Sequence, residues 1–148
     1  MNKVILDANY ILAILDQNDV HHKSAIAIDN KIQTVFDEIL YLDCVMNEIV
    51  SVTIKRLKER KRNGLIPDYL ERLHRLIPKT SITWTYPEIE DYYEKILKTV
   101  MDSRGNLNFH DALIAVVANE FDISHIVSFD KGFDKTKLKR IKDAGDIG

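Results

Sequence analysis

Lys3-Val4-Ile5-Leu6-Asp7 decides the fold. The apolar run is unbroken and too short for a helix, so it reads as a strand buried on both faces and ending in an acid. Residues 8–16 follow with Ile11, Leu12, Ala13 and Leu15 at helical spacing, and Asn18-Asp19 marks a turn. A helical pattern resumes from His22 to Asn30, and Val35 to Leu42 reads as a second strand. Asp43 suits the N-cap of a long helix to about Lys61, stopped by Asn63-Gly64. Pro67 opens a further helix that Pro78 closes, and Ser81-Ile82-Thr83-Trp84 is β-branched and aromatic, as a third strand requires. Pro87 starts a helix to about Met101, and Ser103 to Asn106 is a loop.

Phe109 to Phe121 is apolar nearly all round, the mark of a helix in the middle of a fold. His125 to Phe129 is a fourth strand followed directly by Asp130, and Leu138 to Ile141 suggests an edge strand. Strands separated by helical segments imply βαβ units. The expected class is therefore α/β, with a mainly parallel sheet of four or five strands. Nothing between residues 1 and 142 reads as a linker, so residues 1–148 are expected to be a single domain, with the Gly145-Asp146-Ile147-Gly148 end frayed.

Composition narrows the function. Hydrophobic residues make up 45% and charged residues 30%, which supports a real core and excludes a disordered chain. The net charge of −2 excludes a wholly basic nucleic-acid coat. The lone cysteine, Cys44, excludes a disulfide framework or a cysteine-only zinc site within one chain. No secretory leader or membrane span is apparent, which makes the cytoplasm the expected compartment.

In open α/β sheets ligands bind outside the carboxyl ends of the strands. Asp7 and Asp130 stand at two such ends. Glu48 falls in the second turn of the helix expected over 43–61, and Asp111 in the first turn of the helix over 109–121. Helix N-termini lie at the same end of such a sheet as strand C-termini, so all four acids are expected on one rim. Each has a simpler reading taken singly: Asp7 as a helix cap, Asp130 as a turn residue, Asp111 in a capping pair with Asn108, Glu48 as a solvated surface group. Jointly they suggest a cation among repelling carboxylates. All-oxygen ligation, without cysteine or histidine, favours a hard divalent ion, Mg²⁺ or Mn²⁺, and that combination hydrolyses phosphodiesters. Asn9 and Ser128 flank these acids and can orient them, or serve as caps. The five histidines form no metal-spaced set, and His110 is expected to pack. Asp134 is expected to be a solvated surface charge.

The charge is unevenly spread. Residues 55–62 carry net +5, including Lys55 and Arg56, and residues 131–142 carry net +5, including Lys131, once Asp130 is assigned to the site. Such segments can draw a polyanion toward an acidic pocket, or can be solvated helix faces. Trp84, Tyr86, Tyr92 and Tyr93 can stack on bases, though packing is the ordinary role for most of them.

These stretches resemble the PIN-domain family of metal-dependent ribonucleases. Val4-Ile5-Leu6-Asp7-Ala8-Asn9 looks like its first strand and acid, and Val45-Met46-Asn47-Glu48-Ile49-Val50 like its glutamate helix. Phe109-His110-Asp111-Ala112-Leu113-Ile114-Ala115 is similar to its "DA-apolar-IA" segment, and Ile126-Val127-Ser128-Phe129-Asp130-Lys131-Gly132-Phe133 to its strand ending in "FD". The segments come in the family's order over nearly the whole chain. The resemblance implies a Rossmann-like three-layer α/β/α sandwich and Mg²⁺- or Mn²⁺-dependent cleavage of RNA. Its acidic quartet falls on Asp7, Glu48, Asp111 and Asp130, and Ser128 stands where the family often has threonine or serine. In small members it implies the toxin half of a toxin–antitoxin pair of VapC type, a homodimer silenced by an antitoxin. The basic, helical residues 55–62 and 65–77 depart from a compact toxin, which leaves open a housekeeping RNA-processing nuclease. A catalytically silent RNA- or protein-binding module is a further alternative. An aspartyl-phosphate phosphatase using Asp7 fits poorly, because it wants an acid where Asn9 stands.

Overall fold

The computed structural model describes residues Met1–Gly148. Strands β1 (Lys3–Leu6), β2 (Glu38–Leu42), β3 (Ile82–Thr83), β4 (His125–Val127) and β5 (Lys139–Ile141) form one sheet in the order β3-β2-β1-β4-β5. Every pairing is parallel. The central β1 is closed on both sides by hydrogen bonds and on both faces by helices, so Val4 and Ile5 are fully buried. That placement explains the unbroken apolar run: a strand with no wet face has no position for a polar residue.

Six helices cover the sheet: α1 (Ala8–Leu15), α2 (His22–Val35), α3 (Asp43–Glu59), α4 (Ile66–Leu76), α5 (Ile89–Asp102) and α6 (Phe109–Glu120). Right-handed crossovers put α1 to α4 on one face as the chain steps from β1 to β3. The return from β3 to β4 puts α5 and α6 on the other face. The result is the three-layer α/β/α sandwich. Its order reverses between β1 and β4, so the crevice outside the carboxyl ends of those two strands is the topological switch point.

Several boundaries differ from the sequence reading. The second helix runs on to Val35 because Ile28 and Ile32 extend its buried stripe, which pushes the second strand back to Glu38. The third strand keeps only Ile82–Thr83, since the backbone at Thr85 and Tyr86 turns to bond a side chain. The fourth strand stops at Val127: the Ser128 amide still donates to the Ile141 carbonyl, but the Phe129 amide turns to Asn9 Oδ1. Asp43 is the first residue of α3 and not its cap; Leu42 is the cap position and makes no side-chain bond there.

Candidate active site

The site begins at the end of β1. The register pairs Leu6 with Val127, and the Asp7 amide donates to the Val127 carbonyl at 3.0 Å. Asp7 and Ser128 are thereby held side by side although 121 residues separate them. The Ser128 hydroxyl donates to Asp7 Oδ2 at 2.6 Å, and the Asn9 amide donates to the same oxygen at 3.0 Å. The Ala8 amide takes Oδ1 at 2.8 Å. Asn9 is itself fixed, because its Oδ1 accepts from the Phe129 amide at 3.0 Å. Asp7 is thus both a helix cap and an oriented, buried carboxylate, only 4% exposed.

Across the crevice, Glu48 sits in the second turn of α3 and His110 at the start of α6. His110 Nε2 lies 2.8 Å from Glu48 Oε2, yet this buried nitrogen makes no well-aligned hydrogen bond. A carboxylate oxygen of Asp7, one of Glu48 and a ring nitrogen of His110 all lie within 4.8 Å of one another. Asp111 follows, half-buried, and forms a capping box with Asn108: its amide donates to Asn108 Oδ1 at 2.9 Å. Asp130 is exposed at the rim. Its Oδ1 accepts from the Gly132 amide at 2.8 Å, and its own amide donates to Ser128 Oγ at 3.0 Å. Gly132 is needed here because a Cβ would come within 3.1 Å of the Asn106 carbonyl oxygen. That close approach draws the loop leading into α6 against the Asp130 turn.

The electrostatics follow from this crowding. Burial pushes the Asp7 carboxyl up to about 6, against the lowering effect of Ser128 and Ala8, with Glu48 adding to the rise. Burial also raises Asp111, with the Asp130 and Glu48 charges adding to it. Burial opposes a charged His110, but contact with Glu48 outweighs it and the imidazole is held above its usual range. These are carboxylates that resist ionising until a positive charge joins them. A divalent ion fits this donor set of one oxygen each from Asp7 and Glu48 and the buried, unsatisfied His110 Nε2, whereas Asp111 and Asp130 are not part of the group.

The sequence reading expected His110 to pack and saw no metal-spaced histidine; here it is part of the cluster. The only signal was its place beside Asp111 at the opening of α6, where a side chain meets the same rim. The basic segments also need correction as free cations. Arg56 reaches Asp19 at 3.1 Å and Asp16 at 3.6 Å, and Arg60 reaches Asp16 at 3.2 Å, so both fasten α3 to the turn after α1. Lys55 and Lys131 are exposed. Asp134 is exposed as expected but is gripped by both ends of the Arg140 guanidinium, at 2.7 and 2.8 Å.

The family model of the PIN domain matches residues 4–139, and the chain belongs to the PIN-domain family. Among solved structures it is similar to VapC20 of Mycobacterium tuberculosis, described as a Sarcin-Ricin loop cleaving toxin, with 16% sequence identity and a TM-score of 0.64. That likeness covers 88% of this chain and 92% of VapC20 and speaks for a shared fold. No protein of curated function matches the chain. No helix is long and apolar enough to cross a membrane.

Proposed function

We propose that this chain is a Mg²⁺- or Mn²⁺-dependent endoribonuclease, and that it serves as the toxin of a toxin–antitoxin pair. The observation that carries the reading is the meeting of Asp7, Glu48 and His110 within 4.8 Å at the switch point, around a carboxylate buried against its own charge. When bound, the divalent ion supplies Lewis-acid polarisation of a phosphoryl oxygen and acidifies an attacking water. Asp7, Glu48, Asp111 and Asp130 provide the anionic donors, with His110 as a nitrogen donor. Ser128 and Asn9 keep Asp7 in one orientation by binding the same oxygen. In-line attack by water leaves a 5′-phosphate and a 3′-hydroxyl. Lys131, exposed beside Asp130, and Lys55 attract the RNA backbone without specifying a base.

The toxin assignment draws support from the architecture shared with a toxin named for cleaving the Sarcin-Ricin loop. It carries with it a homodimer, an antitoxin protein that covers the acidic rim, and action in the cytoplasm, with residues 1–148 working as one nuclease unit. The test uses purified protein, single-stranded RNA and Mg²⁺ or Mn²⁺. Cleavage by the unaltered chain and none by Asp111→Asn, with matching circular dichroism, supports the reading. Equal cleavage by both, or none by either under any divalent ion, overturns it. Growth arrest on expression of the unaltered chain but not of the variant separates a toxin from a housekeeping nuclease.

A further inference from the structure

Glu48 and His110 face two ways. Besides joining the acid cluster they line a cavity of about 330 Å³ between α3 and α6, at the lower end of the sizes that hold small ligands. Its apolar lining comes from Cys44, Ile89 and Leu113. Tyr86 and Phe109 also line it and remain 41% and 42% exposed. Their partly exposed faces are open to a flat partner at the mouth of the acid cluster.

Both rings are held firmly. The Tyr86 amide donates to Asp43 Oδ2 at 2.8 Å, while its hydroxyl accepts from the Asn47 amide at 2.9 Å. Phe109 opens α6 and is backed by the Tyr93 ring at a centroid distance of 6.5 Å. Asn108 lines the same cavity: its backbone amide donates to Asp111 Oδ2, its Oδ1 accepts from the Asp111 amide, and its side-chain Nδ2 donates to no protein group. Aside from His110 the cavity carries no basic residue, so it is not built for a phosphate. Flat apolar faces, a hydrogen-bond donor and a modest volume match a nucleobase.

We propose that this cavity seats one unstacked nucleobase of single-stranded RNA, adjacent to the phosphate held at the acid cluster, with Tyr86 and Phe109 as stacking faces and Asn108 donating to a base edge. The inference rests on the nuclease reading and adds to it a base-binding subsite beside the cleaved bond. A base inside an A-form duplex is already stacked and cannot enter. Because Glu48 and His110 belong to both spaces, the seated base and the cleaved bond are neighbours along the strand. The fixed rings lose little freedom when the base arrives, which favours affinity.

The test takes one single-stranded RNA and a series in which each nucleotide in turn is made abasic. With the unaltered chain, one abasic position next to the cut should lower kcat/KM by about tenfold, the loss expected for one stacked base. Tyr86→Leu and Phe109→Leu should each lower kcat/KM on intact RNA by a similar factor and lose little more on the abasic RNA. Tyr86→Phe, which keeps the ring, should restore most of the rate. Leucine variants that cleave intact RNA at the full rate, or that still lose tenfold at the abasic position, overturn the pocket while leaving the nuclease intact. If the unaltered chain cleaves nothing, the nuclease reading falls separately. Fluorescence anisotropy of the same labelled RNAs then decides the pocket: binding weakened by one abasic position supports it, and binding indifferent to every abasic position, or absent, overturns it.

Discussion

Asp7 and Asp43 occupy equivalent places and lead opposite lives. Each follows a leucine at the carboxyl end of a parallel strand, each adjoins the N-terminus of a helix, and each is buried, at 4% and 3% exposure. Asp43 is saturated with donors: the Cys44 amide at 2.8 Å, the Thr85 amide at 2.7 Å, the Thr85 hydroxyl at 2.5 Å and the Tyr86 amide at 2.8 Å. It binds the β3 edge to α3. Asp7 accepts three bonds and then faces Glu48, so it keeps a deficit that an ion can fill. Position on the sheet admits a carboxylate; what the opposite wall supplies decides whether it becomes a bolt or a reactive group.

Exchange at the two positions should separate these roles most sharply. Asp7→Asn should cut RNA cleavage at least about 100-fold, because it removes an ion donor worth several kcal/mol to the transition state, and should leave the melting curve cooperative. Asp43→Ala should destabilise the fold by about 3 kcal/mol, since it strands buried amides of Thr85 and Tyr86. A stable, inactive Asp43→Ala protein beside an unfolded Asp7→Asn protein would reverse the comparison.

Proton linkage gives the next effect. The folded carboxyl of Asp7 sits at about 6, above its ordinary value of 3.8, so between those values the folded chain holds a proton there that the unfolded chain has released. The stability this contributes is complete below pH 4 and is lost as pH rises through 6. Denaturant melts in EDTA should therefore find Asp7→Asn more stable than the unaltered chain at pH 7, by up to about 3 kcal/mol, with the gap closing toward pH 4. Mn²⁺ should narrow the gap at pH 7 by stabilising only the chain that binds it. A gap that ignores both pH and Mn²⁺ would mean that Asp7 carries no such deficit.

A smaller change is expected at His110. His110→Gln should move the Mn²⁺ concentration for half-maximal cleavage upward by about tenfold, with the maximal rate less affected. An unchanged Mn²⁺ profile would make the imidazole a packing group after all. The least effect belongs to the clamp beneath α3: Asp16→Asn should lower stability by about 1 kcal/mol and leave cleavage alone, as read by paired melting and activity curves.

Much of this was legible in the chain. Lys3 to Leu6 announced a central strand because both of its faces lack polar residues, and the apolar girth of α6 announced a helix inside the fold. The meeting of Asp7 and Glu48 was legible because strand ends and helix starts share one edge of a parallel sheet; Asp111 and Asp130, expected with them, stand outside the cluster that those two form with His110. His110 was not legible, since its approach to Glu48 depends on how α3 and α6 meet across the sheet, which no local pattern encodes. The same holds for Arg56: a basic run on a helix looks free until a turn from another part of the chain arrives beside it. The role of Asp43 was hidden for the opposite reason, because a capping position at a helix start already seemed a sufficient explanation.

The pairing of β1 with β4 sets the timing of the enzyme's birth. The hydroxyl that orients Asp7 belongs to residue 128, so a ribosome must finish most of the chain before the first acid finds its companion. At about 5–20 residues per second, the growing polypeptide spends several seconds with its acids on unjoined segments. A product that ends before β4 carries Asp7, Glu48 and Asp111 but lacks both the strand that pairs with β1 and the Ser128 hydroxyl, so Asp7 is left without the partner that orients it.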